Sequence, residues 1–254
     1  MTLSLENKVA LITGGSSGIG RAAAETFAQA GATVVIADID PVGGKETAEI
    51  ISSSGRKSTF IETDITHTED VKAMVDHTIK THGRLDYALN NAGIEGRVGT
   101  TTTDYLEEEW DRVVDINLKG VWLCMKYELA HMLTQCSGSI VNTASIAGLV
   151  GLPGSSPYVA SKHGVIGITK TAALEYATQG IRVNAVCPGV IDTPLVQRIV
   201  TATPERKKLY LDAQPIGRLG TPQEVAAAIV WLCSDEASFI TGQAFPVDGG
   251  FVAR

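Results

Sequence analysis

The chain has little aromatic content, 6% of 254 residues, and only four cysteines. Those thiols (Cys124, Cys136, Cys187, Cys233) are far apart and form no Cys-x-x-Cys pair, which speaks against a disulfide framework and suits free thiols in a reducing compartment. The five histidines (His67, His77, His82, His131, His163) show no H-E-x-x-H or other ligand spacing, so no metal is expected. Basic clusters are missing too. The densest run is Arg206-Lys207-Lys208 in a chain of net charge −7, which argues against a nucleic-acid partner. Met1 to Lys8 is polar, with no apolar stretch ahead of a cleavage site. The longest apolar run, Val225 to Cys233, is nine residues, too short to cross a bilayer. The expectation is a cytoplasmic protein without membrane association.

What is present is regular alternation. Short β-branched runs at Val9–Ile12, Thr33–Ala37, Ser58–Glu62, Asp86–Leu89, Gly138–Asn142, Ile181–Val186 and Gln243–Val247 read as strands. Between them lie helix-length stretches at Gly18–Ala30, Pro41–Ser53, Thr68–Thr81, Leu106–Gln135, Pro157–Thr178 and Pro222–Ser234. Strands such as Val9-Ala-Leu-Ile12 are apolar throughout, as required when helices cover both faces of a parallel sheet. The pattern predicts an α/β fold: a doubly wound, Rossmann-type parallel sheet of about seven strands in one domain spanning residues 1–254. The longest irregular stretches are Gly93–Thr103 and Pro188–Arg218. The second, at about 188–218, is the candidate substrate cover, with one or two short helices between Leu195 and Leu211.

After the first strand comes Thr13-Gly-Gly-Ser-Ser-Gly-Ile-Gly20. Glycines at 14, 18 and 20 let the backbone turn sharply and approach a pyrophosphate at the positive end of the next helix. Such a turn is also structurally useful without a ligand. Asp38 closes the second strand, where a carboxylate can accept hydrogen bonds from adenosine ribose hydroxyls. It would repel a 2′-phosphate, and neighbouring Ser16, Ser17 and Ile39 bring no cation to offset that. NAD(H) is therefore expected over NADP(H). Asn90-Asn-Ala-Gly93 ends the fourth strand, beside the first at the point where strand order reverses.

Tyr158 and Lys162 are four apart in a helix and so share a face. Ser145 follows the fifth strand at the same carboxyl edge. A free phenol, with a pKa near ~10, is a poor base at neutral pH, and a nearby ammonium favours the phenolate. Tyr158 would then exchange a proton with an alcohol or carbonyl oxygen as hydride moves, while Ser145 polarises that oxygen.

These motifs resemble the short-chain dehydrogenase/reductase family over nearly the whole chain. Thr13–Gly20 matches its TGxxxGxG, Asn90–Gly93 its NNAG, and Pro188-Gly189 and Val247–Gly250 its later motifs. The resemblance implies a catalytic set of Asn117, Ser145, Tyr158 and Lys162. Lys162 would also hold the nicotinamide ribose, and Asn117 would anchor a water chain. The cofactor site would comprise Gly14, Ser17, Gly18, Ile19, Gly20, Asp38, Asp64, Ile65, Asn91, Ala92, Gly93, Tyr158, Lys162, Pro188, Gly189, Ile191 and Thr193. Asp64 is expected at the adenine and Thr193 at the carboxamide. A homotetramer is implied, using the helices around Asp111–Gln135 and Pro157–Thr178 and the C-terminal region.

The expected substrate is a moderately hydrophobic secondary alcohol or ketone. It would sit in a pocket of Ile94, Ser145, Ala147, Leu152, Val190, Leu195, Ile199 and Tyr210. Alternatives are a sugar dehydrogenase and a 3-oxoacyl (acyl-carrier-protein) reductase. The arginines by which the latter subgroup docks its carrier align here with Cys136 and Gln179. A dinucleotide sensor without chemistry is a further class, but a sensor has no need of both Tyr158 and Lys162.

Overall fold

A computed structural model describes residues 4–200, 208 and 210–253. Seven parallel strands form one sheet in the order β3-β2-β1-β4-β5-β6-β7. They are β1 (Val9–Thr13), β2 (Thr33–Asp38), β3 (Ser58–Glu62), β4 (Tyr87–Asn90), β5 (Gly138–Thr143), β6 (Ile181–Pro188) and β7 (Ala244–Val247). Each lies within two residues of the sequence expectation at either end.

Period-2 alternation along the strands divides the core between the two faces. Val9 and Leu11 of β1 point into one cluster, with α3 (Thr68–His82), α5 (Val121–Gln135) and α6 (Ser156–Tyr176). Ala10 and Ile12 point into the other, with α1 (Gly18–Gln29), α2 (Pro41–Ser53) and the helix Pro222–Cys233. Leu11, Ile12, Phe27, Met74 and Ile229 are fully buried, and each such side chain contributes about 1.5–3 kcal/mol. Among the described residues no helix is long and apolar enough to cross a membrane.

The expected helix Leu106–Gln135 is not continuous. It runs as α4 (Glu107–Val114), a π-helical turn at Asp115–Gly120, and then α5. Wide turns of this kind disturb the regular backbone bonding and gather at functional sites. Here Gly120 lets the turn pack against Ile65, where a Cβ would stand 2.7 Å from Cδ1. The stretch expected to cover the substrate carries α7 (Pro194–Val200) and helical backbone at Lys208 and Tyr210–Asp212. The helix Pro222–Cys233 is α8, and a reciprocal capping box between Thr221 and Glu224 starts it.

Candidate active site

The order reverses between β1 and β4, whose ends pair Thr13 with Asn90. The carboxyl ends of the strands therefore open a crevice at this point. Hydrogen bonds lace its floor together. Thr13 Oγ1 accepts from the N–H groups of Asn91 at 3.0 Å and Ala92 at 3.3 Å, and Asn91 Nδ2 donates to the Gly14 carbonyl at 3.1 Å. Gly14 has φ 67°, and a Cβ there would lie 2.7 Å from Ala92 Cα. Only glycine fits so close an approach in the left-handed region.

A cleft of about 1040 Å³ runs from this turn across the sheet edge. At one end Ser17, Gly18 and Ile19 line it at the start of α1. Ser17 occupies the N-cap position but makes no side-chain cap bond, so the first-turn N–H groups keep their capacity for an anion. Asp38 follows. Its Oδ2 accepts from Ser16 N–H and its Oδ1 from Asp40 N–H, both at 2.9 Å, which aims the carboxylate. The nearby cation, Arg21, is committed elsewhere: its Nη2 donates at 2.6 Å to both the Ser16 carbonyl and Glu46. Asp64 lines the cleft beyond. Burial acts to raise its pKa, but hydrogen bonds from the Thr66 N–H and hydroxyl, with His67 close by, outweigh it and hold the carboxyl below its ordinary value. An anion-seeking helix start, an aimed carboxylate and a crevice too tight for a Cβ together fit a dinucleotide.

The other end holds the side chains expected to be catalytic. Ser145 stands just past β5, where its Oγ accepts from Ala147 N–H at 3.1 Å. One turn apart on α6, Tyr158 and Lys162 come together, with Nζ 5.6 Å from the phenol ring centre. Lys162 is buried and donates to the Thr143 carbonyl at 2.7 Å. Burial pushes its pKa down to about 8, with Cys187 acting the other way. Burial also pushes the Tyr158 phenol up to about 12; a hydrogen bond with Ser145 lowers it and the charge of Glu95 raises it. In the field of the protein's own groups, desolvation sets the direction of the shift, not the ammonium that the sequence pointed to.

Asn117 lies in the π turn, fully buried, and does not line the cleft. Its Oδ1 accepts from Ile94 N–H at 2.8 Å, and its Nδ2 donates to the Ile94 carbonyl at 2.7 Å and to Ser161 Oγ at 3.3 Å. It therefore clamps the loop after β4 beside Gly93, where a Cβ would be 3.1 Å from Asn117 Oδ1 and 3.7 Å from Lys162 Nζ.

Of the remaining expected cofactor residues, Ile65, Asn91, Ala92, Gly93, Pro188, Gly189, Ile191 and Thr193 line the cleft; Gly20 does not, being packed beneath the turn against the Gly14 carbonyl. Among the expected substrate-pocket residues, Ile94, Ser145 and Leu195 line it. Ala147 is buried, and neither it nor Leu152 is in the lining. Val190 lines a separate small cavity of about 110 Å³. Tyr210 is partly buried outside both cavities, and the Ile199 side chain lies outside the described residues. Sequence reasoning passed over Thr143 and Ser161, whose roles use a main-chain carbonyl and a helix hydroxyl, neither of which has a signature in sequence; Thr13 opens the glycine-rich motif, but its hydroxyl's bonds to the Asn91 and Ala92 N–H groups emerge only in the fold.

Residues 14–252 match the family described as enoyl-(acyl carrier protein) reductase. Cyclohexanol dehydrogenase of Acinetobacter sp. (strain SE19) is 46% identical over 254 residues, covering 100% of this chain and 98% of that protein. The 2,5-dichloro-2,5-cyclohexadiene-1,4-diol dehydrogenase of Sphingobium indicum is 44% identical over 250 residues, covering 98% of each. The crystal structure of levodione reductase superposes with a TM-score of 0.94 at 37% identity, again over 98% of each chain.

Proposed function

The chain belongs to the short-chain dehydrogenase/reductase family, and we propose that within it this protein interconverts a secondary alcohol and a ketone with NAD(H). The observation that carries the reading is the meeting of Ser145, Tyr158 and Lys162 at the opposite end of one cleft from the uncapped start of α1 and from Asp38. Residues 1–254 act as one catalytic domain, with about 188–218 covering the substrate.

A bound nicotinamide supplies the hydride exchange and, when oxidised, a positive charge beside the phenol. The chain's own residues do the rest. Ser145 holds the substrate oxygen by its hydroxyl. Tyr158 passes a proton between its Oη and that oxygen, giving it up in reduction and taking it in oxidation. With a phenol at about 12 in the protein's own field, the neutral form is ready for reduction. Oxidation needs the phenolate, which Lys162 and a further positive charge favour. Oxidation is therefore expected to speed up with rising pH, and reduction to slow. Lys162, buried and tied to the Thr143 carbonyl, is held where a ribose hydroxyl would meet it. Asn117 sets the loop wall through Ile94.

Preference for NAD rests on Asp38, aimed into the adenosine end with Arg21 bound to Ser16 and Glu46 instead. A cytoplasmic homotetramer fits the free thiols and the exposed apolar residues Trp110, Trp122, Leu133 and Leu174 on α4, α5 and α6. A 3-oxoacyl reductase working with NADPH is the second reading, supported by the 3-oxoacyl-[acyl-carrier-protein] reductase of Thermotoga maritima, 42% identical over 98% of this chain. The test is reduced-nicotinamide absorbance over secondary alcohols, sugars and ketones with both cofactors. Turnover with NAD(H) that falls about 10²–10⁴-fold in Tyr158→Phe is expected. Turnover that favours NADP(H) would move the assignment to the second reading.

A further inference from the structure

The stretch after β6 returns to the start of α1 and brings a cation with it. Thr193 caps α7: its Oγ1 accepts from Val196 N–H at 3.3 Å and its carbonyl from Gln197 N–H at 2.8 Å. The same residue meets the glycine-rich turn. A Cβ on Gly18 would stand 3.3 Å from Thr193 Cγ2 and 3.9 Å from Pro194 Cδ. Gly18 is the first residue of α1, so α7 begins against the helix end whose free N–H groups suit an anion.

Arg198 lies one turn along α7 from Pro194, on the same face. Its Nε donates to the Pro194 carbonyl at 3.1 Å, which draws the side chain back along the helix towards that contact. Pro194, Leu195, Val196 and Arg198 line the cleft that Ser17 and Gly18 also line, whereas Gln197 is outside the lining and donates to Asp192 Oδ1. Arg198 is exposed, and among the described residues no carboxylate pairs with it; Arg21, Arg97 and Arg218 are each bound to a glutamate. Both of its terminal nitrogens therefore keep their donors. The other cations of the cleft are placed differently. Lys119 is paired with Asp115 at 2.7 Å, and Lys162 is tied to the Thr143 carbonyl. Arg112 reaches the cleft from α4, which leads to the Asn117 turn and not to the start of α1.

We propose that Arg198 grips the pyrophosphate of the dinucleotide from the α7 side, while the N–H groups of α1 hold it from the other. This rests on the dinucleotide half of the reading above. A guanidinium presents paired N–H donors that match phosphate oxygens, and such charge-assisted bonds are roughly twice as strong as neutral ones. The contact also joins the two ends of the cleft. The helix that carries Arg198 carries Leu195 into the lining, so cofactor held at one end fixes a wall of the substrate space at the other.

The experiment measures dissociation constants for NADH, NADPH and ADP-ribose by calorimetry, without turnover, in the wild type, Arg198→Gln, Arg198→Lys and Arg112→Gln. Each of the three ligands carries the pyrophosphate, so Arg198→Gln should weaken all of them by about tenfold, equivalent to about 1.4 kcal/mol. Arg198→Lys keeps the charge without the fork and should recover part of the loss. Added salt should weaken binding more steeply in the wild type than in Arg198→Gln. Arg112→Gln should leave the three constants unchanged. Unaltered binding in Arg198→Gln overturns the proposal. An equal loss in Arg112→Gln does so too, because it marks the general field of the cleft and not a contact. So does unaltered NADH binding with a raised KM confined to an alcohol that bears a carboxylate, such as 4-hydroxycyclohexanecarboxylate, which would assign the arginine to the substrate. Because binding is read without turnover, a failure of the alcohol–ketone chemistry leaves this test standing. A wild type that binds none of the three ligands refutes the dinucleotide reading first, and this inference falls with it.

Discussion

At the scale of single residues, Asp38 shows how a common strand-end carboxylate becomes a selective one. Both of its oxygens are committed to backbone N–H groups, which fixes the carboxylate, and Arg21, beside Ser16, is bound elsewhere. A 2′-phosphate brought to this position meets like charge with nothing to offset it. Replacing Asp38 by Ser together with Ile39 by Arg removes the repulsion and adds a donor. The ratio of kcat/KM for NADP over NAD should rise about tenfold or more, worth about 1.4 kcal/mol. Unchanged ratios would show that Asp38 does not set the preference.

At the scale of elements, the π turn at Asp115–Gly120 carries Asn117 to the Ile94 backbone. Asn117→Ala leaves the partly buried N–H and C=O of Ile94 without their side-chain partner, at about 1–3 kcal/mol each. Urea unfolding should show a loss of about 2–4 kcal/mol, with kcat reduced as the loop wall loosens. A variant as stable and active as the wild type would refute the clamp. Behind the cleft, α5 presents Glu128 to Asn90, whose Nδ2 donates to Oε2 at 3.0 Å. Glu128 Oε1 and Asn90 Oδ1 both lack partners, and a proton on the carboxyl supplies the missing donor. Burial, partly opposed by the Asn90 hydrogen bond, pushes Glu128 from 4.5 up to about 7. A raised folded-state value means that the neutral acid's stabilisation is complete below pH 4.5 and is lost as pH rises to about 7. Glu128→Gln mimics the neutral acid at every pH. The stability difference, variant minus wild type, should grow across that window, and a difference that stays flat would mean that Glu128 is ionised in the fold throughout.

At the scale of the whole molecule, the cofactor end and the chemical end belong to different halves of one sheet, joined where β1 meets β4. A dinucleotide bridging them binds the folded state alone. At a hundredfold excess over Kd it should stabilise by about 2.7 kcal/mol. For a chain of this size that raises the thermal midpoint by roughly 5–10 °C. NADH should give the full shift and NADPH a smaller one. Equal shifts from both would contradict the reading of Asp38.

Sequence alone determined the sheet and its helices, because those elements declare themselves locally: apolar runs of β-branched residues, helical periodicity, and glycines where the chain must turn. It also placed Ser145, Tyr158 and Lys162, since a strand end and a four-residue helical spacing leave few arrangements. What only the tertiary structure decided depends on groups brought together from far along the chain. The break in the helix between Leu106 and Gln135 answers to contacts with Ile94 and Ile65, the second admitted by Gly120. The phenol's position above its ordinary pKa reflects burial, which the sequence pattern does not record.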